Sequence, residues 1–100
     1  MEIQQLKYFM EVVRQQSFTK AAAQLFVTQP MLTRSIKHLE EELNVRLIER
    51  TSKSFYLTDA GRILYDRSLD FLQQYDDLVQ SMADVRSVRV GEVHLSTPGV

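Results

Sequence analysis

The chain contains no cysteine, which excludes disulfides, thiolate metal sites and a cysteine nucleophile. No apolar run approaches the roughly 20 residues needed to span a bilayer, and the N-terminus lacks a signal-peptide pattern. A soluble cytoplasmic protein with no membrane partner is therefore expected. There is no Walker loop, no dinucleotide fingerprint and no nucleophile beside a plausible base. His38 and His94 have no acidic or thiol partner at metal-ligand spacing, and the carboxylates after residue 58 read as a solvated face rather than a catalytic pair. An enzyme is not expected, nor is a metal or cofactor held by these 100 residues. No internal repeat or low-complexity segment appears.

Charge of either sign is also not in excess. The formal net charge of -1, taken as an average, argues against a nucleic-acid partner. Its distribution argues otherwise. From Arg14 to Lys53 seven basic residues (Arg14, Lys20, Arg34, Lys37, Arg46, Arg50, Lys53) face four glutamates, a net +3. From Asp59 to Asp84 only Arg62 and Arg67 oppose six aspartates, a net -4. A basic block and an acidic block lie end to end, and the first is a candidate electrostatic footprint.

A hydrophobic fraction of 44% is enough for a core. Leu6, Phe9, Met10 and Val13 recur at helical spacing, with Glu2, Gln5, Glu11 and Gln15 off that face, so a first helix is expected to end near Gln16. Ser17 and Thr19 can both cap a second helix. "TKAAAQLF" reads as that helix, short and with Thr19 at its N-cap, and its small alanines allow close helix approach. Val27 and Thr28 then turn the chain. A third helix opens with Thr28 as cap and Pro30 in the first turn, where a missing N–H costs nothing. Its stripe is Leu32, Ile36, Leu39 and Leu43, and Asn44 tolerates the left-handed conformation that ends a helix. Val45 and Leu47, then Phe55 and Leu57, alternate on either side of a polar "ERTSKS" tip, which suggests two short strands.

The fourth helix is expected to start at Thr58, with Asp59 near the positive end of the helix dipole. Gly61 in its first turn is a poor helix former whose presence implies close packing. Leu64, Ser68, Phe71, Tyr75, Leu78, Met82 and Val85 then step by four and three, with Leu72 and Val79 widening the stripe. From Thr58 to Ser87 such a rod is about 45 Å long, more than three short helices can cover. A second copy of the same helix is the simplest partner, with Leu64, Phe71, Tyr75, Leu78, Met82 and Val85 at the seam of a homodimer. Val88, Val90, Val93 and Leu95 change period again, like a strand leading out of the helix and interrupted by Gly91.

Helix, tight turn, basic helix and hairpin make the layout of a winged helix-turn-helix. The chain is thus expected to be mainly α, with three helices and a two-stranded wing over residues 1–57. A linker helix occupies 58–88, and 89–100 begins a further domain. A helix that enters the DNA major groove reads bases from its N-terminal turns. Gln29, Met31, Thr33, Arg34 and Lys37 lie on faces the apolar stripe does not use. Arg can bond guanine in bidentate fashion, Gln can do the same for adenine, and Met31 can meet a thymine methyl. Glu40, Glu41 and Glu42 fall at the far end, away from the phosphates. Taken alone, Arg34 and Lys37 read as solvating a surface helix, Lys53 equally as a DNA contact or a polar turn residue, and Lys20 as either a phosphate contact or nothing. Arg50 is open between a phosphate and an internal pair.

The motifs "SFTKAA", "VTQPMLTRSIKHLEEEL", "LIERT" and "LTDAG", in this order and spacing, resemble the N-terminal segment of LysR-type transcriptional regulators of bacteria. The resemblance is strong over residues 1–65 and extends in character along the linker helix. It implies double-stranded DNA as partner, with contacts at Thr28, Gln29, Pro30, Thr33 and Arg34, and at Lys53 reaching the minor groove from the wing tip. It also implies a dimer on an interrupted inverted repeat, a tetramer in the full-length protein, RNA polymerase as a further partner, and a small-molecule effector bound by a C-terminal domain beyond this chain. Met31 and Thr33 stand where the family commonly has Ala and Ser, so base preference is expected to differ. Asn44 replaces the usual Gly and Ile48 a frequent Phe, which keeps the turn chemistry and alters packing. Two other readings stay open: a non-specific architectural DNA binder, and a module that recognises another helix through its amphipathic rod.

Overall fold

The structure, a computed structural model, describes residues 1–91, with side chains placed for residues 1–86. Its elements are α1 (Ile3–Gln15), α2 (Phe18–Leu25), α3 (Gln29–Leu43), β1 (Ile48–Arg50), β2 (Phe55–Leu57) and α4 (Asp59–Gly91). By contacts the chain divides into a unit spanning Met1–Leu69 and a second from Asp70 onward.

In the first unit α1, α2 and α3 pack on one another pairwise. Leu6, Phe9, Met10 and Val12 of α1 meet Phe18, Ala21 and Ala22 of α2 and Leu32, Ile36 and Leu39 of α3 in one core, closed by Leu47 and Ile48. Val12 is fully buried and Val13 only half-buried. Glu11 is buried as well, although its sequence position lies off the apolar face. Arg14 and Gln15, one turn later, donate to its two oxygens, which satisfies a carboxylate that burial would otherwise penalise.

Each of the three short helices ends in a residue with positive φ: Gln16 (52°), Phe26 (59°) and Asn44 (57°). At α3 this is the Schellman arrangement, with Asn44 N–H donating to Glu41 O and Val45 N–H to Glu40 O. The second helix is capped two residues earlier than its sequence suggested. Ser17 is the cap, its Oγ accepting from Lys20 N–H at 3.1 Å, and Thr19 lies inside the first turn. Only the left-handed Gln16 and the cap Ser17 lie between the two helices.

The wing is antiparallel, with Ile48 opposite Leu57, Glu49 opposite Tyr56 and Arg50 opposite Phe55. The first strand is shifted relative to the sequence reading: Val45 and Leu47 precede it, and Glu49 and Arg50 belong to it rather than to the tip. The reason is hydrogen bonding outside the ladder, where Val45 N–H is used by α3 and Leu47 O by Thr58 N–H at 3.0 Å. Thr58 caps α4 through Gly61 N–H at 3.0 Å. Gly61 is needed for the approach it permits. A Cβ there would lie 2.2 Å from Leu47 O and 2.8 Å from Leu57 Cδ1.

The fourth helix continues to Gly91, so Val88 and Val90 are helical and not the start of a strand. The expected strand residues Val93 and Leu95 lie outside the described residues. Ser68, expected on the seam, is buried and Leu64 half-buried, whereas Phe71, Tyr75, Leu78, Met82 and Val85 are exposed. No helix among the described residues is long and apolar enough to cross a membrane.

Candidate nucleic-acid interface

Thr28 starts α3 in extended conformation, and its Oγ1 accepts from Met31 N–H at 3.2 Å. Gln29, Pro30 and Met31 form the first turn. Pro30 has no N–H and that of Met31 is capped by Thr28, which leaves the first turn few backbone donors for an anion. Attraction at this helix end therefore rests on side chains. Gln29, Pro30, Met31, Arg34 and Lys37 are exposed, and Thr33 is half-buried.

The sequence-assigned residues converge on a run of adjoining hollows. Gln29, Pro30, Thr33, Arg34 and Lys37 line one open hollow on α3. Thr33 and Lys37 also line a groove of about 510 Å³ between α3 and the wing, together with Glu40, Glu41, Arg46 and Arg50. Arg50 then borders a third hollow with Thr19 and the tip residues 51–54, including Lys53. Shared lining residues make these three one surface from the start of α3 to the wing tip. Thr28, Met31 and Lys20 line none of the three, and Lys20 is exposed at the start of α2.

The wing tip is ordered by one hydroxyl. Thr51 Oγ1 accepts from Lys53 N–H (3.2 Å) and Ser54 N–H (3.1 Å), and Thr51 N–H donates to Ser54 O at 2.9 Å. The backbone under Lys53 is thereby preset while its ammonium stays exposed. Arg50, undecided from sequence, is stacked: its guanidinium carbon lies 3.8 Å from the centroid of the Phe18 ring, a cation–π contact that leaves the N–H edges available. Phe55 flanks Phe18 with ring centroids 6.5 Å apart.

Local ion pairs sort the basic block. Arg46 is spent on Glu40 (3.6 Å) and Glu49 (3.3 Å), Arg14 on Glu11, and Glu42 on the N-terminal ammonium. Lys20, Arg34, Lys37 and Lys53 have no ion pair among the described residues. Of the block's four glutamates, Glu40, Glu42 and Glu49 each pair with a cation, whereas Glu41 lines the α3-to-wing groove with no ion pair among the described residues.

Two contributors were missed from sequence. Thr19 Oγ1 donates to Gln29 Oε1 at 3.2 Å, orienting the amide at the head of α3. Glu40 is not a solvated residue at the far end of the helix: its side chain is 15% exposed and accepts from Leu47 N–H at 2.7 Å and Ile48 N–H at 3.3 Å. Neither has a pattern signal, because both partners are distant in sequence. Among the described residues no cluster of His, Asp and Glu could hold a metal ion.

Residues 3–62 match the family model described as "Bacterial regulatory helix-turn-helix protein, lysR family". The chain is 42% identical over 88 residues to the transcriptional regulator BenM of Acinetobacter baylyi, covering 88% of this chain and 29% of that protein. It is 35% identical over 95 residues to the transcriptional activator CmpR of Synechocystis, covering 95% of this chain and 31% of that one. The chain thus spans under a third of the length of these relatives. The BenM DNA-binding domain in complex with catB site 1 DNA matches with a TM-score of 0.84 and 41% identity, over 88% of this chain and 99% of that one. Full-length CbnR complexed with its target DNA matches with a TM-score of 0.78 and 34% identity, over 83% of this chain and 29% of that one.

Proposed function

Because this chain belongs to the bacterial regulatory helix-turn-helix proteins of the LysR family, we propose that it is the sequence-specific DNA-binding part of a transcriptional regulator. The N-terminal turns of α3 enter the major groove, and the wing presents Lys53 to the adjacent minor groove. Arg34 reads a base edge. Gln29, Met31 and Thr33 complete the readout, while Pro30 sets how the helix meets the groove. Thr28, Lys20, Lys37 and Arg50 serve the backbone. Two copies join through Phe71, Tyr75, Leu78, Met82 and Val85 of α4, with Leu64 at the inner edge, and so present two recognition helices to an interrupted inverted repeat. The chain carries no catalytic role. In the whole regulator, cytoplasmic on this reading, a small-molecule effector binds a domain beyond this chain, assembly proceeds to a tetramer, and RNA polymerase is a further partner.

The observation that carries the reading is the exposed pair Arg34 and Lys37, with no ion pair among the described residues, on one surface with Arg50 and Lys53. The relatives solved with DNA support it, since they match 88% and 83% of this chain. Selection of the chain against a randomised duplex library at physiological salt tests it. An enriched, interrupted inverted repeat is the expected result. Salt-dependent binding without enrichment would point to a charge-driven architectural binder, and absence of binding even at low salt to a helix-interaction module.

A further inference from the structure

We infer that Glu40 is a positioning residue that locks the wing to the recognition helix and so sets the distance between major-groove and minor-groove contacts; this rests on the two-groove reading above. The wing has three residues in each strand, and a two-stranded ribbon that small has little stability or fixed orientation of its own. Its root is gripped from two sides. From α3, the Glu40 carboxylate takes the N–H groups of Leu47 and Ile48 and lies 3.6 Å from Arg46 Nε. From the start of α4, Thr58 Oγ1 donates to Arg46 O at 2.6 Å, and Thr58 N–H donates to Leu47 O at 3.0 Å. Arg46 in turn donates to Ile48 O at 3.2 Å. Bonds from N–H groups to an ionised carboxylate are stronger than neutral ones, and of these contacts only those of Glu40 come from the helix that carries Arg34.

The placement of this carboxylate makes the inference separable from electrostatics. Glu40 is one turn beyond Lys37 and lines the same groove as Lys37 and Arg50. If it acted only as a charge, its removal from a surface facing phosphates would tighten DNA binding. As a positioning residue its removal weakens binding, because the wing loses its station. Glu41, which lines the same groove and holds no wing amide, is the control for charge alone.

The test is a set of double-mutant cycles on the selected duplex, with Glu40→Ala and the milder Glu40→Gln each combined with Lys53→Ala and with Arg34→Ala. Folding is checked by circular dichroism. Lys53→Ala is expected to weaken the wild-type chain about fivefold, and to cost the Glu40→Ala chain little further, while the Arg34→Ala penalty persists in both. Glu41→Gln binds as tightly as wild type or more so. Amide exchange adds a DNA-free readout: the Leu47 and Ile48 N–H groups exchange faster in Glu40→Ala, and those of Leu32 and Leu39 do not. Should Glu40→Ala not fold, Glu40→Gln carries the same cycle. Glu40 variants that bind as tightly as wild type, or a Lys53→Ala penalty that survives undiminished in them, would overturn the inference alone. A wild-type chain indifferent to Lys53→Ala would overturn the wing reading and this inference with it.

Discussion

Two helices of this chain carry apolar stripes of like period and meet opposite fates. Leu32, Ile36 and Leu39 of α3 are 0–3% exposed, while Leu43, expected on the same stripe, is 36% exposed at the helix end. Phe71, Leu78, Met82 and Val85 of α4 are 50–61% exposed. The period of a stripe states that a face is to be buried and leaves open what buries it. For α3 the answer is inside the chain, where α1 and α2 supply Phe9, Val12, Phe18 and Ala21. For α4 beyond Asp70 no described residue supplies it, and a contiguous apolar face of this length marks an interaction surface. A second copy is the proposed cover. Ser68 sharpens the boundary: it belongs to the stepping pattern, yet it is 2% exposed and its hydroxyl has no hydrogen-bond partner among the described residues.

The same chemical change made on the two stripes should therefore give two different readouts. Leu39→Ala is expected to lower unfolding stability by about 2–5 kcal/mol, since it leaves a cavity in a closed core; denaturant titration measures it, and a loss under about 1 kcal/mol would contradict the packing. Gly61→Ala comes next, at about 3 kcal/mol, because its Cβ has to displace backbone at Leu47 rather than a flexible side chain; thermal unfolding reads it. Leu78→Asp should leave the Met1–Leu69 unit as stable as before while releasing monomers in sedimentation. A variant that still sediments as a dimer would refute the proposed seam. The smallest effect is expected at Phe26→Gly. Phe26 is 94% exposed and left-handed, so glycine should gain roughly 0.5–1 kcal/mol by relieving the backbone with almost no burial lost.

Much of the fold was readable because its signals are local. The stripes of α1 and α3, Thr28 before Pro30, Asn44 after α3 and the need for a glycine at 61 are each decided within a few residues. What escaped depends on partners distant in sequence or on competition between near-equals. Ser17 and Thr19 have equal capping chemistry, and only the length of α1 decides between them. The shift of β1 comes from Thr58 claiming Leu47 O. Glu11 reads as surface until Arg14 and Gln15 close over its oxygens. Glu40 sits in a run of three glutamates that looks uniform, yet of the three it is the one that accepts the Leu47 and Ile48 N–H groups. Periodicity was also a poor guide past Ser87, where alternating valines suggested a strand and the helix persists to Gly91. In the candidate interface spacing and charge marked Arg34 and Lys37 only as exposed cations of α3, and their reading as DNA contacts rested on the motif string in which they stand. The stacking of Arg50 on Phe18 and the bond from Thr19 to Gln29 required the third dimension.

The central claim is that α3 reads bases and that two copies do so symmetrically. The most direct test compares wild type and Arg34→Ala on every single-base variant of the selected duplex. A loss of about 1–3 kcal/mol confined to one base position in each half-site, at two positions related by the repeat's symmetry, is the predicted result. An equal loss on all sequences would reduce Arg34 to a phosphate contact and contradict the account.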